Sequence, residues 1–505
     1  MSTPTRLLLL STVVVGLGTN FHFAFQTTFV NAAIGVFNRL LNDSLVDHYD
    51  WRPSDTAARL LWALITSLTF FGALLGAQLA PCLADRHRFA LTSALVLVAT
   101  PISAVSFDRV RSVELFALGR LLYGAACGVG ASAQAVYISE CSPLEQRAQL
   151  GTLGAVILSV GFVTGTFLGM PELLGTAGKL EWLFALEALP SLLLLLGRRV
   201  HRECFEFRSR FYCWFSLMRS LWTWMVPSPY EVVRRGRPEQ LAPLLRRLHG
   251  PKNCDVDATT RRIERELRIQ SDAYSVWHLW RDRAARKAAV IGIVVNAASG
   301  FTGISTLSAF SATLLAANGF GEPAGRWASA ALSLFSLSNL VALWTLQRFG
   351  RRPAVLFSVL ALVANNALVV IVGVAFERTQ QPWLATAMLA LFCLLIVFYN
   401  AGQGPVAWFY ATELTGPRAR PAVQSVSIAA QYVSSFAAPV LFYPLDGLVG
   451  AYAFLLFVLP LLAAAAFYWR CLVETKDRTV SRVVASLSRR RLNATETSPL
   501  LSDEA

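Results

Sequence analysis

Residues 398–421 read FYNAGQGPVAWFYATELTGPRARP. The stretch begins as the end of an apolar span, carries Gly402, Gly404 and Pro405 at depth, resumes with Trp408 and Phe409, and closes on Glu413 and Arg420. Pro405 removes one backbone hydrogen bond and predicts a kink, while the two glycines let another backbone or a ligand come close. Helices broken at mid-membrane mark transport sites. The closing phrase also occurs earlier in the chain. Tyr137-Ile-Ser-Glu140-Cys-Ser-Pro143 leads to Arg147, and Tyr410-Ala-Thr-Glu413-Leu-Thr-Gly-Pro417 leads to Arg420, with the same Tyr-to-Glu and Glu-to-Arg spacings. Such a parallel repeat predicts two matched halves able to rock about a central site.

Composition agrees with a membrane reading. The 505 residues are 55% hydrophobic and only 15% charged, with a mean hydropathy of +0.49, too little charged surface for a soluble chain of this length. Apolar spans are predicted at 7–33, 60–80, 89–107, 114–139, 149–168, 182–196, 288–317, 327–346, 353–376, 382–414, 422–445 and 451–469. The expected fold is all-α and polytopic, with twelve transmembrane helices in two pseudo-symmetric six-helix bundles. Residues 1–197 form the first bundle, 198–287 a cytoplasmic loop with short amphipathic helices, 288–471 the second bundle and 472–505 a cytoplasmic tail.

The net charge of +14 does not imply nucleic acid, because of where it sits. Twenty Lys and Arg lie within 198–287, and twelve of the other twenty-five lie in Asp85-Arg86-His87-Arg88, in Arg348-Phe349-Gly350-Arg351-Arg352 and in the tails. By the positive-inside rule these segments, and both termini, are cytoplasmic. Residues 7–33 are long enough to span, so no cleaved signal is needed. The eight cysteines suggest free thiols, with no disulfide framework and no metal-ligand spacing, and no cofactor is implied. The chain offers no phosphate-binding glycine loop and no acid–base pair outside the repeat, so no enzyme activity is expected.

The first span carries His22, Gln26, Thr27, Thr28 and Asn31 at roughly helical spacing. That face either lines a cavity or hydrogen-bonds to neighbouring helices. Asn42-Asp43-Ser44 is a glycosylation sequon on the outer side of this topology. Glu187, inside the sixth span, is expected near the outer surface as a snorkelling or hydrogen-bonded carboxylate. The loop opens with a mixture of Arg, Phe, Tyr and Trp over 198–224, suited to an anionic inner leaflet or to a segment without settled structure. Residues 238–249 and 259–274 follow as amphipathic helices, with Leu241, Leu244, Leu245 and Leu248 on one face.

Gly119-Arg120, the Tyr137-to-Arg147 phrase, Gly151-Thr152-Leu153, Arg348 to Arg352, Gly402 to Trp408, Arg420-Pro421 and Glu474-Thr475-Lys476-Asp477-Arg478-Thr479 together resemble the sugar porter family of the major facilitator superfamily. More narrowly they look like the animal facilitative hexose transporters. Phe21-His22-Phe23-Ala24-Phe25-Gln26 and Leu60-Leu61-Trp62 look closest to the fructose- and urate-type class. The resemblance implies alternating access by a functional monomer in the bilayer, with glucose, fructose or urate as the small-molecule substrate. It also implies a gate in which Glu413 faces Arg147 and Glu140 faces Arg420, with Arg351 and Arg352 nearby.

The implied substrate positions depart from the family's amides: Ala155 replaces a Gln, Ser299-Gly300 a Gln-Gln pair, and Ser305 and Phe335 each an Asn, while Asn400 replaces an acidic residue and Gln431 an Asn. The expected site is therefore Trp408 as an aromatic floor with Asn296, Ser299, Ser305, Asn400 and Gln431 as hydrogen-bonding walls. Val226-Pro227-Ser228-Pro229-Tyr230 resembles the family's P-E-S-P-R signature without its Glu and Arg. Proton-coupled members carry an Asp in the first span, which this chain lacks, so uniport is expected over symport. A transport-inactive sugar sensor is the rival reading, encouraged by the missing amides and the long loop. Glu496-Thr-Ser-Pro-Leu500-Leu501 resembles an endosomal or lysosomal sorting signal, leaving those membranes and the plasma membrane as alternatives.

Overall fold

The structure is a computed structural model that describes residues 5–83, 85–108, 110–143, 146–203, 227–249, 256–268, 276–315, 320–476, 478 and 480–488. The described residues are helical throughout, with no strand. Nine stretches are long and apolar enough to cross a membrane, and the longest, Arg420–Cys471, contains two helices. Leu180–Glu203 and the broken pair Arg283–Gly300 and Ile304–Leu315 bring the spans to twelve among the described residues.

The repeated phrase occupies equivalent places in the two halves. One copy closes the helix Val113–Cys141 and starts Arg147–Leu168 on its arginine. The other closes Gln403–Glu413 and starts Arg420–Val449 in the same way. The halves meet where Asp55–Leu79 packs on Arg420–Val449, Asn20–Ala32 on Ile304–Leu315, and Arg147–Leu168 on Asn339–Phe349.

The tenth span is interrupted where the sequence indicates, but the expected agent is corrected. Gly402 breaks it, with φ −165° and ψ −58°, and Pro405 falls in the first turn of the resumed helix, where a missing N–H costs nothing. A Cβ on Gly402 would lie 2.3 Å from the Ala354 carbonyl, so the chain turns there against the backbone of the neighbouring helix Arg351–Thr379. The seventh span, predicted continuous, is also broken, at Gly303, whose φ of +89° favours glycine. Further breaks lie at Gly18-Thr19 and in the 3-10 turn Ser336–Ser338.

Between the bundles and the loop, Leu241, Leu244, Leu245 and Leu248 are buried as their spacing predicts, and they share a cluster with Leu8, Phe89, Tyr137 and Leu150. The Thr5 hydroxyl donates to the Leu248 carbonyl at 2.6 Å, tying the start of the chain to the same helix. The second amphipathic helix runs Val256–Arg268. The basic aromatic stretch 204–224 and the tail residues Glu496, Leu500 and Leu501 lie outside the described residues.

Within the first bundle, Asp55–Leu79 and Val113–Cys141 touch backbone to backbone. A Cβ on Gly72, Gly76, Gly124 or Gly128 would sit 2.0–2.1 Å from a carbonyl oxygen of the partner helix. Small residues permit this approach, which substitutes for a hydrophobic driving force inside lipid. Gly124→Ala is expected to wedge the pair apart and destabilise the fold by about 1–3 kcal/mol. Gly35→Ala, which meets nothing within 4 Å, should not, and thermal melting of the purified protein compares the two.

Candidate functional site

Where the halves face each other lies a cavity lined by Asn20, Gln134, Ser139 and Arg147 of the first bundle and by Trp408, Phe409 and Thr412 of the second. Its volume of about 20 Å³ holds roughly one water, whereas small-molecule sites run to about 300–1,000 Å³. Contacts between the halves lie on either side of the cavity. At the mouth near Arg147, the Phe409 ring packs on Gly151, and Ser425 donates to the Ala77 carbonyl at 2.6 Å. At the opposite mouth Asn31 donates to Ser311 at 2.9 Å, Ser311 and Ser329 share a hydrogen bond at 2.5 Å, and Arg326 lies 4.0 Å from Glu172. Between the mouths, Ser159 donates to the Ser336 carbonyl at 2.8 Å and Asn339 donates to Ser159 at 2.7 Å.

Trp408 lines this cavity from the second bundle. It is 5% exposed and belongs to an aromatic cluster that crosses the interface. Phe23 of the first bundle meets it edge-on, ring centres 6.1 Å apart, and also contacts Phe70 and Tyr432.

The other five predicted wall residues do not line this cavity. Asn296 donates to the Gly292 carbonyl of its own helix at 2.9 Å. Ser299 bonds the Tyr399 hydroxyl at 3.0 Å, and Ser305 donates to Ser435 at 3.2 Å. Asn400 covers the 3-10 turn, donating to the Ser336 carbonyl at 3.0 Å and to Ser338 at 2.9 Å. Gln431 is buried, 5% exposed, on Arg420–Val449. Asn296, Ser299, Ser305 and Asn400 are thus engaged inside the second bundle, each donating to or sharing a proton with a carbonyl or hydroxyl there, while the Gln431 Oε1 and the Asn296 Oδ1 are buried without a partner among the described residues.

The gate pairs also differ from expectation. Glu413 is held by its own half, with Arg351 at 3.0 Å and the Thr475 hydroxyl, so it does not face Arg147. Arg420 donates Nε to the Thr412 carbonyl at 3.1 Å and does not meet Glu140, which accepts from Ser228 at 2.6 Å. Partners close at hand satisfy these carboxylates. Ser228 also caps the helix Pro229–Arg234. Arg352 donates to the Trp469 carbonyl at 2.8 Å. Glu474 accepts the backbone N–H groups of Arg351, Arg352, Thr475 and Lys476 at 2.9–3.0 Å. Gly404 packs against the Tyr399 ring one turn before Trp408. Asn42 is exposed on the helix Ile34–Tyr49.

Of the two alternatives expected for Glu187, the structure shows the hydrogen-bonded one: the residue is fully buried and does not snorkel. Gln26 donates to it at 2.6 Å, and the His22 Nδ1 lies 3.6 Å away, with its Nε2 bonded to Ser191 at 2.7 Å. Arg120 donates to the Gln26 side-chain and main-chain oxygens at 2.8 and 2.7 Å and to the Thr66 carbonyl at 2.9 Å. Two turns into Leu180–Glu203, Glu187 points at the first span, and a partnered carboxylate there need not reach water. Asn20 and Gln134 were missed as lining residues; a polar residue within an apolar span was the available signal.

The sugar (and other) transporter family model matches residues 11–209 and 205–485. Facilitated glucose transporter member 3 of Canis lupus familiaris is 23% identical over 92% of this chain and 89% of its own length. Member 7 of Mus musculus is 24% identical over 96% and 90%. The solved proton:xylose symporter XylE with bound 6-bromo-6-deoxy-D-glucose superposes with a TM-score of 0.75 at 18% identity, covering 95% of this chain and 99% of that one, which shows the major facilitator fold.

Because Glu413 and Arg351 are both nearly buried, Arg351→Ala is expected to strand a charge and lower stability by about 3–5 kcal/mol. Charge reversal at Glu413 should be restored by reversal at Arg351 and not at Arg147, as read by folded yield and melting temperature.

Proposed function

The chain belongs to the sugar (and other) transporter family, as a multi-pass membrane protein and not an enzyme, and on that premise we propose that it carries a hexose or similar small polar solute by facilitative alternating access. The observation that carries this reading is the Trp408 cavity: it lies between two matched bundles, draws lining groups from both, and is covered at both mouths. A solute-sized site then requires the bundles to part at one mouth while staying together at the other. Each mouth is held by a few hydrogen bonds worth about 0.5–1.5 kcal/mol apiece, which suits contacts broken in every cycle. In this reading the mouth near Glu140 and Glu413 is the inner one, both termini are cytoplasmic, and residues 1–197 and 288–471 move as the two bodies.

The relatives, glucose transporters and a xylose symporter, support a sugar as cargo. Uniport is favoured because His22, Gln26, Arg120 and Glu187 bond among themselves and none lines the cavity. Proton coupling is the second reading, favoured by the burial of Glu187 beside His22.

Purified protein in liposomes should give saturable, inhibitable hexose uptake without a pH gradient, tested with glucose, fructose, galactose and urate, and Trp408→Ala should cut it at least tenfold. Ligand-dependent protection without flux would favour a sensor. Uptake that follows an imposed pH gradient, and is lost in Glu187→Gln, would replace uniport by symport.

A further inference from the structure

Two amides of the first bundle, Asn20 and Gln134, face the Trp408 cavity. Asn20 is 5% exposed and its side chain has no hydrogen-bond partner among the described residues. Gln134 is 3% exposed and is anchored by one end only, its Oε1 lying 2.6 Å from the Thr19 hydroxyl. Its other end points toward Gly154, where a Cβ would come within 2.6 Å of Nε2 and 3.6 Å of the Asn20 Nδ2. The absence of a side chain at Gly154 thus gives both amides their room.

The free end of each amide opens into the cavity with no hydrogen-bond partner among the described residues, and two such ends converging on one cavity point to a ligand. The Thr19 hydroxyl has a single proton and also lies 2.7 Å from the Val15 carbonyl. Whichever way the Gln134 amide is turned, Thr19 occupies one end and the other is left for the cavity. An amide both donates and accepts, and so does a sugar hydroxyl. A carboxylate or ammonium ligand would use only half of that capacity.

We propose that Asn20 and Gln134 form the hydrogen-bonding wall of the substrate site, reading the hydroxyls of a neutral polyhydroxy solute whose ring lies against Trp408. The wall thus stands on the first and fourth spans, opposite the second-bundle positions that the resemblance implies. This assignment rests on the transport reading above. Gln134→Met keeps the side-chain volume and leaves Thr19 bonded to Val15, so it removes recognition without stranding a neighbour.

The test is exchange of the best-carried hexose and its single-deoxy analogues in liposomes, for the wild type, Asn20→Ala and Gln134→Met. Each variant is expected to raise the half-saturation concentration about three- to tenfold with the maximal rate within twofold. For at least one analogue, the penalty for the missing hydroxyl should disappear in the variant, a coupling that general loosening of the fold would not give. Unchanged penalties in both variants, with Trp408→Ala still impaired, overturn the wall and leave the transport reading intact. If the wild type carries no hexose, the transport reading fails and ligand-induced thermal shift is the measure. A shift with hexose that both variants lose supports the wall, and no shift in the wild type overturns it.

Discussion

Inside a bilayer a backbone N–H or C=O without a partner costs several kcal/mol, so a spanning helix can be interrupted only where the protein itself covers the gap. This chain interrupts at least four spans, and polar side chains attend each break. At Gly402, the Ser358 hydroxyl accepts the Gln403 N–H at 3.1 Å and donates to the Phe398 carbonyl at 2.6 Å. Gln403 itself reaches the Val295 carbonyl at 2.7 Å. At the seventh-span break, Asn366 donates to the Thr302 carbonyl at 3.3 Å. At the 3-10 turn, Ser159 and Asn400 both serve the Ser336 carbonyl. The second bundle therefore commits much of its amide and hydroxyl inventory to keeping broken helices in lipid.

That commitment explains what could be read from the sequence and what could not. The spans, the repeat and the break near Gly402 were legible because hydropathy, spacing and glycine act locally along the chain. That Trp408 would lie near the break was legible because it follows Gly402 at a fixed distance in sequence. Partner choice was not: Asn400 and a substrate-binding amide look alike until Ser336 and Ser338 are seen beside it. Whether Glu187 snorkels or is hydrogen-bonded was open for a similar reason, since counting turns from Trp182 gives depth but not the direction of the side chain. Asn20 and Gln134 stand out only once every neighbour of theirs is known.

The charged mouth shows the same preference for local partners. Glu413, Arg351, Thr475 and Glu474 form a connected cluster wholly within the second half and its following segment. Glu140 is engaged by Ser228 of the intervening loop. Opening this mouth in the proposed cycle then requires no rupture of the Glu413–Arg351 ion pair; the cluster travels with its bundle as an internal brace. The segment after the last span is part of that brace, because one carboxylate, Glu474, gathers four N–H groups from two places in the chain.

The glycine seam in the first bundle has a mechanical corollary. Helices separated by side chains can slide by rotamer changes, each absorbing part of a displacement. Asp55–Leu79 and Val113–Cys141 have no such cushion, since carbonyl oxygens abut α-carbons along two turns. A push on one is delivered to the other undiminished. Asp55–Leu79 also carries the contact with Arg420–Val449 across the interface, so in the proposed cycle this tight seam would couple the Gln134 helix to the opposite half like a lever with little play.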